Sequence, residues 1–338
     1  MTIYWGASSP VLAESIKTQA PPEFLNGGNA YDFAAAECLG QEHSLHVWEH
    51  AVKFSDQSRL KYIWGCRENS PNADLLVLEP IPALLTRKRK GTKYIAILHH
   101  IDERRLKADI KYQLYIKLLL RKLKAFDQVV VVSEYWQSRL QQYGITQTRI
   151  IYNSFDTAAY QFSDEEKKAF RSSLGFPEDQ PLIYLGNSGK GKGVVEAYEQ
   201  LKDKPYLFVS TGRKNENADL PVHHFNLQPH EYRKLLASCD LVLAMSTMTE
   251  GWNRVAHEAM LLRTPVIGSG SGGMSELLTK GGQCICSNWI ALAGTVSYVL
   301  SNRDKLGTQA HNYVKQFDER YFCQEWSRLI RSIVNGVS

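Results

Sequence analysis

Short unbroken apolar runs alternate along this chain with stretches whose apolar positions return every three to four residues. In the first half, 2–5, 45–48, 75–78, 94–98, 128–132 and 149–152 predict strands, with a helix beginning near Asn29 and others over 106–125 and 136–143. The second half repeats the scheme with strands at 182–185, 206–210, 241–245 and 265–268. Strands that are apolar throughout, rather than at every second position, are buried on both faces, as in parallel sheets covered by helices. The pattern predicts an α/β chain of two doubly wound, Rossmann-like domains. Periodicity lapses over 157–164, which sets the boundary: 1–157 form the first domain and 158–317 the second.

Composition adds bounds. At 338 residues, 43% apolar and 22% charged, the chain is long enough for two cores and too apolar for disorder. Its six cysteines lack the paired spacing of a zinc site and read as reduced core thiols. The start, Met1-Thr2-Ile3-Tyr4-Trp5-Gly6-Ala7, has no basic segment followed by a sustained apolar one, and no apolar run approaches the roughly 18 residues that span a bilayer. A cytoplasmic protein is the expectation.

Charge is uneven. The formal net charge is +5, yet between Arg87 and Lys124 thirteen basic residues face three acidic ones, a local balance of +10 that leaves −5 elsewhere. Drawn as one helix, 104–124 places basic positions 104, 107, 111, 117, 121, 122 and 124 on one face and Tyr112, Ile116, Leu119, Leu120 and Leu123 opposite. Ile110, Leu114 and Leu118 fall within the basic face. Aliphatic side chains at i, i+4 and i+8 among lysines and arginines suit an anionic membrane surface. No aromatic-interleaved groove accompanies the charge, so nucleic acid is not expected as a partner.

The chemistry gathers around a Glu-x7-Glu run, Glu250 to Glu258. A buried strand at 241–245, a polar turn at 246–251 and a helix over 253–262 aim first-turn N–H groups at the mouth of a parallel sheet, where the helix dipole favours a diphosphate. Arg254 and Val255 open that helix. Glu258, about a turn and a half in, is placed to accept from a pair of ribose hydroxyls. Glu250, an anion ahead of the helix, is left to the hydroxyls of a sugar. Upstream, Gly186-Asn187-Ser188-Gly189-Lys190-Gly191-Lys192-Gly193 begins as a Walker A loop, but Gly193 stands where the magnesium-binding serine or threonine belongs. That omission weakens an NTPase reading, and no Asp-x-Asp occurs in the chain to anchor a diphosphate through a divalent metal. His99-His100 ends the strand 94–98, and Gly27-Gly28 gives backbone N–H groups close access to a ligand ahead of the next helix.

These segments together resemble the retaining family-4 glycosyltransferases of the GT-B fold. The resemblance rests on Glu250 to Glu276, including Gly272-Gly273-Met274-Ser275-Glu276, and on Gly27-Gly28, His99, Val132-Ser133-Glu134, Asn153-Ser154-Phe155-Asp156 and Lys192-Gly193 in the family's order. It implies two Rossmann-like domains facing across a cleft, the first binding acceptor and the second binding a nucleotide-sugar donor, with the last helix, 318–338, returning to the first. It implies a retaining, metal-independent hexosyltransferase of cell-envelope or exopolysaccharide synthesis, with a lipid-linked or polysaccharide acceptor and no cofactor; the basic face over 104–124 adds the expectation of a peripheral place on the inner face of the plasma membrane. His99 (or, with a shift of one residue, His100), Lys192 and Glu250 take the reacting centre; Gly27, Gly28, Lys190, Arg254, Val255 and Glu258 bind the donor. Asn187 stands where the family carries arginine, with Lys190, Arg213 and Arg254 as replacements and Arg254 foremost. A noncatalytic nucleotide-sugar-binding protein and a two-carboxylate glycoside hydrolase are the alternatives.

Overall fold

A computed structural model describes residues 1–20, 27–53, 58–187, 189, 191–212 and 220–335. The chain divides into two compact units, Met1–Ser154 with the last helix Glu319–Asn335, and Phe155–Asp318. Among the described residues each unit holds one six-stranded sheet, and every strand pairing is parallel.

In the first unit the strands are β1 (Thr2–Gly6), β2 (Ser44–Val47), β3 (Leu75–Leu78), β4 (Lys93–Leu98), β5 (Gln128–Val131) and β6 (Thr148–Ile150), in the order β2-β1-β3-β4-β5-β6. The chain reverses its direction of travel between β1 and β3, which makes their carboxyl ends the switch point of the sheet. All four residues of β3 are buried, the signature of a strand covered on both faces. Trp48, Tyr62, Leu98, Ile116, Leu119 and Trp136 belong to one core cluster of this unit.

The second unit holds β7 (Leu182–Asn187), β8 (Leu207–Thr211), β9 (His223–Phe225), β10 (Leu241–Ala244), β11 (Val266–Gly268) and β12 (Cys284–Ile285), in the order β12-β11-β10-β7-β8-β9. Its switch point lies between β7 and β10. Strand β12 is only two residues long and β9, His-His-Phe, is short and polar, so neither registers as an apolar run. They complete the two edges.

Three expectations need correction. The predicted helix over 104–124 is two helices, Glu103–Ala108 and Ile110–Leu123. Asp109 is extended there (φ −122°, ψ 107°), and its carboxylate accepts from the backbone N–H groups of Lys111 and Tyr112, so an N-cap interrupts the run. Second, the cysteines are not all thiols: Cys38 and Cys323, 285 positions apart, form a disulfide joining the helix Gly27–Glu42 to Glu319–Asn335. Cys66, Cys239, Cys284 and Cys286 are free thiols. Third, Gly27 and Gly28 do not precede their helix but are its first two residues.

Candidate active site

The loops after β7 and β10 meet at the switch point of the second unit. Thr247 donates its backbone N–H (2.9 Å) and its hydroxyl (3.1 Å) to the Gly191 carbonyl, stitching one loop to the other. Gly193 completes the join with φ +74°, where a Cβ would lie 2.2 Å from the Met245 carbonyl oxygen; only glycine lets the lysine loop settle this closely on the end of β10. On the other flank Gly272 (φ +67°) pairs with Glu250 in a parallel bridge, and Gly273 N–H donates to the Glu250 carbonyl at 3.0 Å. A Cβ at 272 would fall 2.3 Å from that carbonyl oxygen. The backbone at Glu250 is therefore held from both sides.

That frame brings Lys192 and Glu250 together. The Lys192 ammonium donates to Glu250 Oε1 at 2.8 Å, with the two side chains 32% and 15% exposed, so the cation and anion neutralise one another while still reachable. Beyond Glu250, Asn253 takes a left-handed conformation (φ 75°) and caps the helix Arg254–Leu261, its side chain accepting from Ala256 N–H at 2.9 Å. Arg254 and Val255, both half-buried, form the first turn. The Arg254 guanidinium sits over the Phe155 ring, 4.1 Å from its centroid.

Glu258 is held by two tyrosines absent from the sequence-level site. Tyr160 donates to Oε1 at 3.0 Å, and the Tyr232 hydroxyl stands at 3.5 Å from Oε2. Burial pushes the Glu258 carboxyl up, opposed by the charge of Arg254 and by the Tyr160 hydroxyl. Burial, and then this same carboxylate, drive the Tyr160 hydroxyl far above its ordinary range, so Tyr160 remains a donor. Next in the helix, His257 is fully buried and neutral, pulled down to about 3 by burial and then by Arg254, and its Nδ1 accepts from Trp252 Nε1 at 2.9 Å. Asn187, at the end of β7, turns inward on its own loop, accepting from Gly189 N–H at 3.0 Å. Lys190 and Arg213 lie outside the described residues.

In the first unit, His99 follows β4 and its Nε2 is 3.0 Å from Asp32 Oδ1. Asp32, 3% exposed, lies on the helix that Gly27 and Gly28 open. The edge of Tyr31 meets the His99 imidazole at 5.0 Å. His100 points elsewhere, lining a depression with Tyr112, Tyr115 and Arg105. Structure thus joins Lys192 to Glu250 and sets Arg254, Val255 and Glu258 on one helix, while His99, Gly27 and Gly28 belong to the first unit.

The basic segment is less uniform than its sequence. Lys122 reaches back to the Thr86 carbonyl at 2.7 Å and Lys88 donates to the Ala125 carbonyl, so both serve the fold rather than an open face. The apolar stripe is real: Ile110, Leu114 and Leu118 are 78%, 58% and 46% exposed, while Ile116, Leu119, Leu120 and Leu123 are buried on the opposite side. No helix among the described residues is long and apolar enough to cross a membrane.

The family model for glycosyl transferases group 1 matches residues 166–317, and that for Glycosyltransferase Family 4 matches 43–159. Bacillus subtilis (strain 168) TuaC, named as a teichuronic acid biosynthesis glycosyltransferase, is 30% identical over 171 residues, covering 48% of this chain and 44% of its own. Escherichia coli (strain K12) WcaI, named as a colanic acid biosynthesis glycosyl transferase, is 24% identical over 238 residues, covering 62% and 57%. The chain thus spans about half the length of these curated relatives. Among solved structures, sucrose-phosphate synthase from Thermosynechococcus elongatus superposes with a TM-score of 0.80 at 16% identity, covering 99% of this chain and all of that one. Anabaena HepE in complex with UDP superposes at 0.72 and 20% identity, covering 98% of this chain and all of its own. At identities this low, these superpositions show a shared fold alone.

Proposed function

Since this chain belongs to the family-4 glycosyltransferases of the GT-B fold, we propose that it moves a hexose or related sugar from a nucleoside-diphosphate donor to a lipid-linked or polysaccharide acceptor of cell-envelope or exopolysaccharide synthesis. Transfer retains anomeric configuration and needs no metal. The observation that carries this reading is the Lys192–Glu250 contact, made where the loops after β7 and β10 meet at the switch point of the sheet.

The donor diphosphate lies against the amino end of Arg254–Leu261, where backbone N–H groups and the helix dipole favour an anion. Its charge competes with Glu250 for the Lys192 ammonium, and Arg254 supplies the cation that Asn187 does not. Released from Lys192, Glu250 accepts from hydroxyls of the transferred sugar. Glu258, oriented by Tyr160 and Tyr232, retains lone pairs for the ribose hydroxyls. The bond from the anomeric carbon to the diphosphate oxygen breaks as the acceptor hydroxyl oxygen bonds to the same face of that carbon, and the hydroxyl proton passes to the departing phosphate. Lys192 stabilises the charge growing there. His99 serves the reacting centre from the first unit, which receives the acceptor. The apolar stripe Ile110, Leu114 and Leu118 among basic residues supports docking of that unit on an anionic membrane, peripherally at the cytoplasmic face.

Thermal shift with UDP, GDP, ADP, CDP and dTDP, with magnesium and with EDTA, tests the donor site. One nucleotide should raise the melting temperature equally in both buffers. Lys192→Ala and Glu258→Ala should then abolish turnover of the matching glucose donor in folded protein. Indifference to all five nucleotides would sink the reading.

A further inference from the structure

We propose that Asp32 is a positioning residue for the transfer reaction, holding the His99 imidazole in one orientation and one tautomer; this rests on the role given to His99 in the transferase reading above. With Asp32 Oδ1 as the acceptor, the 3.0 Å contact to His99 Nε2 places a proton on Nε2. The tautomer is thereby chosen by a residue 67 positions away.

Asp32 is an odd occupant of its place. Tyr31, Phe33, Ala35 and Ala36 around it are buried, and Asp32 itself is 3% exposed. A carboxylate taken out of water is costly unless it is paired, and an apolar side chain would serve packing alone better. The described contact that offsets this cost is the one to His99.

The ring is also held from the side. Tyr31 meets His99 edge-on at 5.0 Å and 82°, and its hydroxyl donates to the Ile151 carbonyl at 3.0 Å. Phe322 of the last helix packs edge-on against Tyr31 at 5.0 Å. The next residue, Cys323, is disulfide-bonded to Cys38, on the same helix as Asp32. A helix fixed this firmly can hold a hydrogen-bond partner to the tolerance a reacting group needs. The arrangement resembles the outer partner of a working histidine more than a surface ion pair.

The test uses the full chain and two readouts. In ring-nitrogen NMR, with the His99 signals assigned by their loss in His99→Ala, the native protein should show a single Nε2-protonated tautomer, and Asp32→Asn should replace it with a tautomer mixture. With UDP-glucose as donor, Asp32→Asn should lower kcat about 10- to 100-fold while leaving donor KM within about twofold. The Asp32→Asn, His99→Ala double variant should be no slower than His99→Ala alone. An unchanged tautomer in Asp32→Asn, full turnover despite a changed one, or additive losses in the double variant would each overturn the proposal. If Asp32→Asn does not fold, Asp32→Ser takes its place, and failure of both would mark Asp32 as structural and overturn it too. Failure of the transferase reading looks different: native protein then turns over no nucleoside-diphosphate glucose, while the NMR still reports whether Asp32 sets the ring.

Discussion

A carboxyl that must give up its charge to stay in place makes folding depend on pH, and Glu79 is such a group. It sits at the end of β3, 9% exposed, with Oε2 accepting from Ser8 N–H (2.9 Å) and Ser8 Oγ (2.5 Å) and with Oε1 lacking a hydrogen-bond partner among the described residues. Burial first, and then the charge of Asp32, push it up to about 7 from an ordinary 4.5. The folded chain therefore holds a proton that the unfolded chain releases between those values. Stability from this group is complete below about 4.5 and is lost as pH rises through about 7, on the order of 3 kcal/mol in all. Glu79→Gln should remove that slope, checked by urea midpoints from pH 4.5 to 7.5; parallel curves for the two proteins would show that Glu79 is not the titrating group. Residues of this kind were illegible in the sequence. Glu250 and Glu258 stand in a recognisable run and Lys192 in a recognisable glycine-rich loop, but Asp32, Glu79, Tyr160 and Tyr232 acquire meaning only from partners 67, 71, 98 and 26 positions away.

At the scale of elements, apolar periodicity located ten of the strands to within a residue or two, because strands buried on both faces announce themselves locally. It failed where a single capping side chain outweighed the pattern. The basic stretch was continuous by its wheel, yet Asp109 satisfies two backbone donors at once and divides it. The division leaves Ile110, Leu114 and Leu118 on one helix, so the membrane proposal depends on Ile110–Leu123 alone rather than on a longer amphipathic rod. Replacing all three with serine should leave the melting temperature within about 3 °C, since exposed sites contribute little to folding. The same change should abolish sedimentation with phosphatidylglycerol vesicles at moderate salt. Native protein that fails to sediment with those vesicles, or binds phosphatidylcholine equally well, would refute a charge-assisted apolar contact.

At the scale of the whole molecule, the chain leaves its first unit after Ser154 and returns to it with Glu319–Asn335, where the Cys38–Cys323 disulfide ties the return down. Cross-linking residues so distant restricts the unfolded chain strongly, and a link of this class contributes about 2–5 kcal/mol. Cys38→Ser with Cys323→Ser should lower the first unit's urea midpoint, and dithiothreitol should do the same to the native protein but not to the double variant. A cross-linked peptide should appear in non-reducing mass spectrometry; thiols at both positions in oxidised protein would contradict the link. The sequence by itself determined two doubly wound parallel sheets, the run from Glu250 to Glu258 and the glycine-rich loop that carries Lys192, since burial on both faces and loop and helix-start chemistry are written in neighbouring residues. Tertiary structure alone decided the disulfide, the Asp32–His99 pair and the tyrosines that hold Glu258. Each of these joins residues far apart in the chain, and no local preference records which distant side chain a fold will bring within hydrogen-bonding reach.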